Sequence, residues 1–295
     1  MTARFAKESP PLESDPFLEE GPHGPWLIPA QTATIVTPDR PFDHRELDAH
    51  RQDQDRIGRW REFTITTNSL GFRGPEPETP KRRPRVLALG ESVSMGWGVQ
   101  DTENWTAWVA TDLDIEILNV GIPDVEPRAL ADWCVAEGPR LDVDVLVWTR
   151  RIGGEEPTPD AYMSHLSRCV VALQVPVLLV FPPLSRFDRL GRFNDEADRT
   201  ALQAQMPWPL LDLTPAFEAA QSGGAGLGPE LQLLDGDVEV ARRDHDGIDH
   251  FPYGPDFDAA PGLREPLFFD IGHPDAEGYR VYAAAVSAAL EPLLP

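Results

Sequence analysis

Two kinds of residue set apart by type and spacing could do chemistry in this chain: a serine on a glycine turn and a segment dense in aspartate and histidine. Ser92 closes the stretch Arg85-Val-Leu-Ala-Leu-Gly-Glu-Ser. Val86 to Leu89 is a short apolar run behind the basic Pro80-Lys-Arg-Arg-Pro84, a pattern that suits a strand buried on both faces. Gly90 lets the backbone turn sharply, which puts Glu91 and Ser92 at the strand's carboxyl end, where open α/β sheets place their ligands. A helix starting at that point has free backbone N–H groups to offer an oxyanion. The spacing is not that of the Gly-x-Ser-x-Gly elbow, because Ser94 stands where that motif has its second glycine. A serine hydroxyl is a poor nucleophile at neutral pH and needs a base in hydrogen-bond reach and a group to orient that base. Ser92 is the candidate nucleophile, with partners expected near the other end of the chain.

Asp244, His245, Asp246, Asp249 and His250 form the second group. Oxygen-rich turns suit calcium and paired histidines suit zinc, but this spacing matches no ligand loop. Ordinary turn chemistry is the better reading, so neither a metal nor a cofactor is expected.

The elements that must position Ser92 follow from hydrophobic periodicity. After the serine turn, Glu103 to Leu113 reads as a helix capped by Asp101 or Thr102. Ile115 to Leu118 is a second strand running into Asn119-Val-Gly121. Pro127 starts a helix towards Gly138, Val143 to Trp148 is a third strand, and Tyr162 to Leu173 a further helix. Val175 to Phe181 and Leu210 to Leu213 complete five strands, and Asp275 to Leu294 closes the chain as a helix. Regular alternation of strand and helix predicts a mainly parallel sheet with helices on both faces, a three-layer α/β/α sandwich.

Gly90-Glu91-Ser92, with Gly96, Gly98 and Val99 behind it, resembles the first block of the SGNH or GDSL-type hydrolases, with Glu for the usual Asp. Asn68-Ser-Leu-Gly-Phe-Arg-Gly74 is similar to a lead-in of many bacterial members. Asn119-Val-Gly121 resembles the second block, whose glycine N–H joins the oxyanion hole. Asp270-Ile-Gly-His273 resembles the final Asp-x-x-His block. The third block, Gly-x-Asn-Asp, is replaced by Val147-Trp-Thr-Arg-Arg-Ile-Gly153. The resemblance implies a flavodoxin-like sheet of about five strands. It makes His273 the base, Asp270 its orienter, and Ser92 and Gly121 the oxyanion donors. Arg150 and Arg151 are open to three readings: a substitute for the missing asparagine, a site for a substrate carboxylate or phosphate, or surface ion pairs. Trp97, beside the turn, is expected to wall the pocket.

The implied activity is hydrolysis of an ester or thioester through an acyl-enzyme, on a small-molecule or carrier-bound acyl substrate. Transfer of the acyl group to another acceptor and non-catalytic binding on the same scaffold are the rivals. A formal net charge of −23 spread along the chain argues against nucleic acid and against an anionic membrane surface. Cys134 and Cys169 sit in helical segments and read as buried free thiols. No signal-type N-terminus or 18-residue apolar run is found, so a cytoplasmic location is expected. Residues 1–64 read as an extended arm and 65–295 as the hydrolase domain, with an irregular insertion at 221–266 forming a lid or substrate wall.

Overall fold

The computed structural model describes residues 2–4, 18–22, 24–38, 60–123, 125–150, 159–184, 196–223, 267–269 and 272–295. Five of its strands form one parallel sheet: β6 (Arg85–Gly90), β7 (Glu116–Gly121), β8 (Val145–Thr149), β9 (Val177–Phe181) and β10 (Leu210–Asp212). Their spatial order is β10-β9-β8-β6-β7. Successive residues alternate between two cores, as a pleated strand requires. Leu87, Leu89, Leu118, Val120, Leu146, Trp148, Leu179 and Phe181 face one core. Val86, Ala88, Ile117, Val145, Val147, Leu178 and Val180 face the other. The strands read as unbroken apolar runs because both faces are covered.

Helices fill the two outer layers. A short helix α1 (Ser92–Met95) opens after β6, and α2 (Trp105–Leu113) leads to β7. Then come α3 (Pro127–Glu137), α4 (Pro159–Leu173), α5 (Glu196–Gln205), α6 (Thr214–Gly223) and α7 (Ala276–Leu290). Leu130, Tyr162, Leu166 and Leu202 put α3, α4 and α5 on the Trp148 face. Trp105, Phe217, Tyr279 and Val286 put α2, α6 and α7 on the Val147 face. The chain runs from β6 to β7 over one face and then reverses through β8, β9 and β10 over the other. Right-handed crossovers demand this change of face, and it makes the crevice between the ends of β6 and β8 the topological switch point.

Several expected features shift. Asn104, not Asp101 or Thr102, caps α2, its side chain accepting from the Thr106 N–H at 3.3 Å. A 3₁₀ turn over Asp101–Glu103, closed by a Gln100/Glu103 capping box, occupies the place expected for the helix start. The arm holds more structure than one or two strands: β1 (Thr2–Arg4), β4 (Thr32–Pro38) and β5 (Trp60–Thr66) form one sheet, and β2 (Leu18–Gly21) pairs with β3 (Gly24–Leu27). β5 runs across the expected domain boundary at residue 64. Both cysteines are buried free thiols. Among the described residues no helix is long and apolar enough to cross a membrane. The 244–250 cluster and positions 224–266 of the expected insertion lie outside the described residues.

Candidate active site

Ser92 begins α1 directly beyond β6, and His273 lies in the segment leading into α7. Their side chains meet: His273 Nε2 is 2.8 Å from Ser92 Oγ across 181 residues of sequence. The histidine ring stacks on Phe269, centroids 5.9 Å apart at 25°. Its segment is pinned by backbone bonds from Phe269 N–H to the His273 carbonyl (3.1 Å) and from Asp275 N–H to the Leu267 carbonyl (2.9 Å). Asp275 caps α7 through Gly278 N–H. Asp270, the expected orienter, lies outside the described residues, as does Arg151.

The serine turn is held by its own carbonyls. The Ser92 carbonyl accepts from the N–H groups of Gly96 and Trp97, both at 3.0 Å. Tyr279 O–H donates to the Val93 carbonyl at 3.1 Å and the Trp105 indole N–H to that of Ser94 at 2.9 Å. Asn104 Nδ2 donates to the Met95 carbonyl at 2.6 Å, and Arg61 Nη1 to that of Gly98 at 3.2 Å. Arg73 does most. Its guanidinium donates to the carbonyls of Met95 (3.1 Å), Gly96 (2.6 Å), Val99 (2.7 Å) and Thr64 (3.0 Å), and its Nε pairs with Asp101 at 2.8 Å. Burial lowers the Arg73 pKa from its ordinary value, partly offset by Asp101, and the side chain remains a cation. Asn68 builds the loop that delivers it: its Oδ1 accepts from Leu70 and Phe72 N–H, and its Nδ2 donates to the Pro75 carbonyl.

Arg73 was missed in the sequence because a lone arginine reads as surface charge. The Asn68-to-Gly74 stretch, as a sequence, assigns no role to its arginine. The signal that could have found it is a run of backbone carbonyls around Gly96 and Gly98 that no regular element satisfies.

Gly121 has a different task from the expected one. Its N–H donates to the Asn119 side-chain oxygen at 3.0 Å and is not free for an oxyanion. What the position requires is the missing side chain, since a Cβ would stand 2.1 Å from the Met95 nitrogen. Asn119 spends its amide N–H groups on the Ser94 and Met95 carbonyls, so it too serves the turn.

Trp97 is more core than wall. It is 8% exposed, meets Phe63 edge-on at 5.2 Å and lies 6.4 Å from the His273 ring. It joins Leu27, Ala33, Ile35, Phe63, Ile65, Met95 and Phe269 in a third apolar cluster, so the arm packs on the turn that carries Ser92. Arg150 follows β8 at the switch-point crevice and is 8% exposed, which excludes a surface ion pair. Its Nη1 donates to the Val125 carbonyl at 2.5 Å.

No family model and no curated protein matches the chain. Solved structures similar to it include the lipase/acylhydrolase from Enterococcus faecalis, at 14% identity and a TM-score of 0.45, covering 72% of this chain and 97% of that one. A GDSL-like lipase from Bacteroides thetaiotaomicron VPI-5482 matches at 14% identity and a TM-score of 0.42, over 74% of this chain and 92% of the other. LAE5, an α/β hydrolase from the metagenome of Lake Arreo, matches at 16% and 0.46, over 72% and 97%.

Proposed function

We propose that the protein hydrolyses an ester or thioester through an acyl-enzyme on Ser92. The observation that carries this reading is the 2.8 Å contact between His273 Nε2 and Ser92 Oγ, held on a turn whose carbonyls are tied to side chains from other elements. His273 takes the hydroxyl proton as Oγ bonds to the substrate carbonyl carbon, and the carbonyl electron pair moves onto oxygen. The tetrahedral intermediate collapses, the carbon–alcohol (or carbon–thiol) bond breaks, and His273 returns its proton to the departing group. Water then repeats the sequence in reverse: it gives a proton to His273, bonds to the acyl carbon and releases Ser92. The Ser92 N–H, first in α1 and without an intrahelical acceptor, is the oxyanion donor, and Asp270 orients His273.

The test is a fluorophosphonate probe followed by intact mass. One adduct per wild-type chain is expected, with none on Ser92→Ala and a strongly slowed reaction on His273→Ala. Folded wild type that forms no adduct, and turns over no small ester, overturns the reading.

A further inference from the structure

The carboxyl end of β8 gathers polar groups that the hydrolytic residues do not use. Trp148 and Arg150 are two apart along an extended chain and so project to one face. Tyr162, in the first turn of α4, meets Trp148 edge-on with centroids 6.4 Å apart and meets Phe181 at 6.5 Å. Tyr162 is 2% exposed and Trp148 fully buried. The Arg150 Nε is buried without a hydrogen-bond partner, and the Tyr162 hydroxyl and the Trp148 indole N–H, which face each other, meet no acceptor outside their own pair. Among the described residues the bond that the Arg150 guanidinium makes is to a backbone carbonyl, that of Val125 at 2.5 Å, and not to a carboxylate. Burial pushes the Tyr162 phenol above its ordinary value, Arg150 and the Trp148 indole N–H act on it in the opposite sense, and Glu91 adds to the rise. A second buried cation, Arg199, caps the next strands through the Pro182 carbonyl and Thr214 Oγ1 and lies 5.0 Å over the Phe181 ring.

Each of the three groups can donate, and a guanidinium edge matches a carboxylate in shape and charge. Buried donors without acceptors are costly, so a group that accepts from them gains what the free protein lacks. Direction comes from the sheet. β6 lies between β7 and β8, so an Arg150 side chain reaching the Val125 carbonyl in the loop after β7 crosses the end of the serine strand. It does so on the Trp148 face, whereas α7, which follows His273, packs on the opposite face. His273 must protonate the departing alcohol, so the alcohol leaves on the histidine side and the acyl chain points away from it, towards Arg150.

We infer that Arg150, with Tyr162 and Trp148, binds a carboxylate carried by the acyl chain, so that the substrates are half-esters or half-thioesters of dicarboxylic acids. This inference rests on the hydrolase reading, and its test separates the two. The kcat/KM of wild type is compared on 1-naphthyl hemiglutarate and 1-naphthyl valerate, which have equal acyl length. The half-ester is expected to be favoured about tenfold or more, as for a charge-assisted hydrogen bond. Arg150→Met should cut that ratio about tenfold and Tyr162→Phe about threefold. A wild-type ratio near one overturns the inference. So does an Arg150→Met variant that lowers both substrates equally, which makes Arg150 an oxyanion donor instead. Should Arg150→Met not fold, wild-type inhibition decides: competitive inhibition by glutarate and none by glutaramide supports the subsite, and equal inhibition removes it. If wild type cleaves neither ester and takes no fluorophosphonate adduct, the hydrolase reading fails by itself. Calorimetry of glutarate with wild type then judges the pocket, where Arg150-dependent binding supports it and no heat overturns it.

Discussion

The serine turn and the Arg150 corner stand at the ends of adjacent strands and treat polar groups in opposite ways. Around the turn, acceptors come first: backbone carbonyls left over by tight geometry are met by donors from Arg73, Asn104, Trp105, Asn119 and Tyr279. Around Arg150, donors come first: the guanidinium Nε finds no acceptor, and the Trp148 indole and the Tyr162 hydroxyl meet only each other. Both arginines are buried, Arg73 at 3% exposure and Arg150 at 8%, so burial alone does not distinguish their roles. The number of partners does. A fully satisfied buried cation is part of a rigid frame, and an under-satisfied one is where a ligand completes the count.

Stability measurements can break this comparison, because the same substitution should act differently at the two arginines. Arg73→Met should cost about 3–5 kcal/mol in urea unfolding, since it strands Asp101 and several buried carbonyls. Next comes Gly121→Ala, expected to cost about 2–3 kcal/mol with a fall in probe labelling, because the new methyl meets the Met95 backbone, which cannot retreat without moving α1. Asn104→Ala removes a helix cap and the donor to the Met95 carbonyl together, for about 1–2 kcal/mol. Arg150→Met, in contrast, should change stability by no more than about 1 kcal/mol and in the stabilising direction, as apolar replacement of an under-paired buried charge often does. Tyr162→Phe should be the smallest, within about 0.5 kcal/mol of wild type, because the hydroxyl it removes is met only by the Trp148 indole. A loss of 3 kcal/mol or more (by the same buried-charge scale) at Arg150 would mean that its corner is as fully paired as the turn, and the contrast would collapse.

The sheet was legible in the sequence because β6, β8 and β9 are apolar runs of strand length, separated by segments with helical periodicity and clear start signals such as Pro127 and Asp275. Ser92 and His273 were legible through their blocks, and the structure brings those two side chains together. What was hidden depends on side chains folding back on nearby backbone. The Asn119 bond to Gly121 N–H is local, yet no periodicity reveals which way an asparagine turns, and it removes a donor that the motif implied. Asn104 displaced the expected cap because a capping box upstream consumed Gln100 and Glu103 in a separate turn. The reach of the arm was hidden too: Phe63 and Ile65 alternate like any edge strand, and nothing in that pattern says that they bury Trp97.

That arm cluster has a bearing on synthesis. Its members enter the world far apart in time, with Leu27 and Phe63 made before Met95 and Trp97, and Phe269 only after all five strands of the parallel sheet. During translation the nascent chain can lay down β6 to β9 against α2 to α4 as each crossover emerges, but the apolar wall around Ser92 must wait for Phe269, made after β10. Assembly of the apolar surround and arrival of His273 shortly after Phe269 are therefore one event, and until it happens Ser92 lacks the side chain it meets in the folded chain.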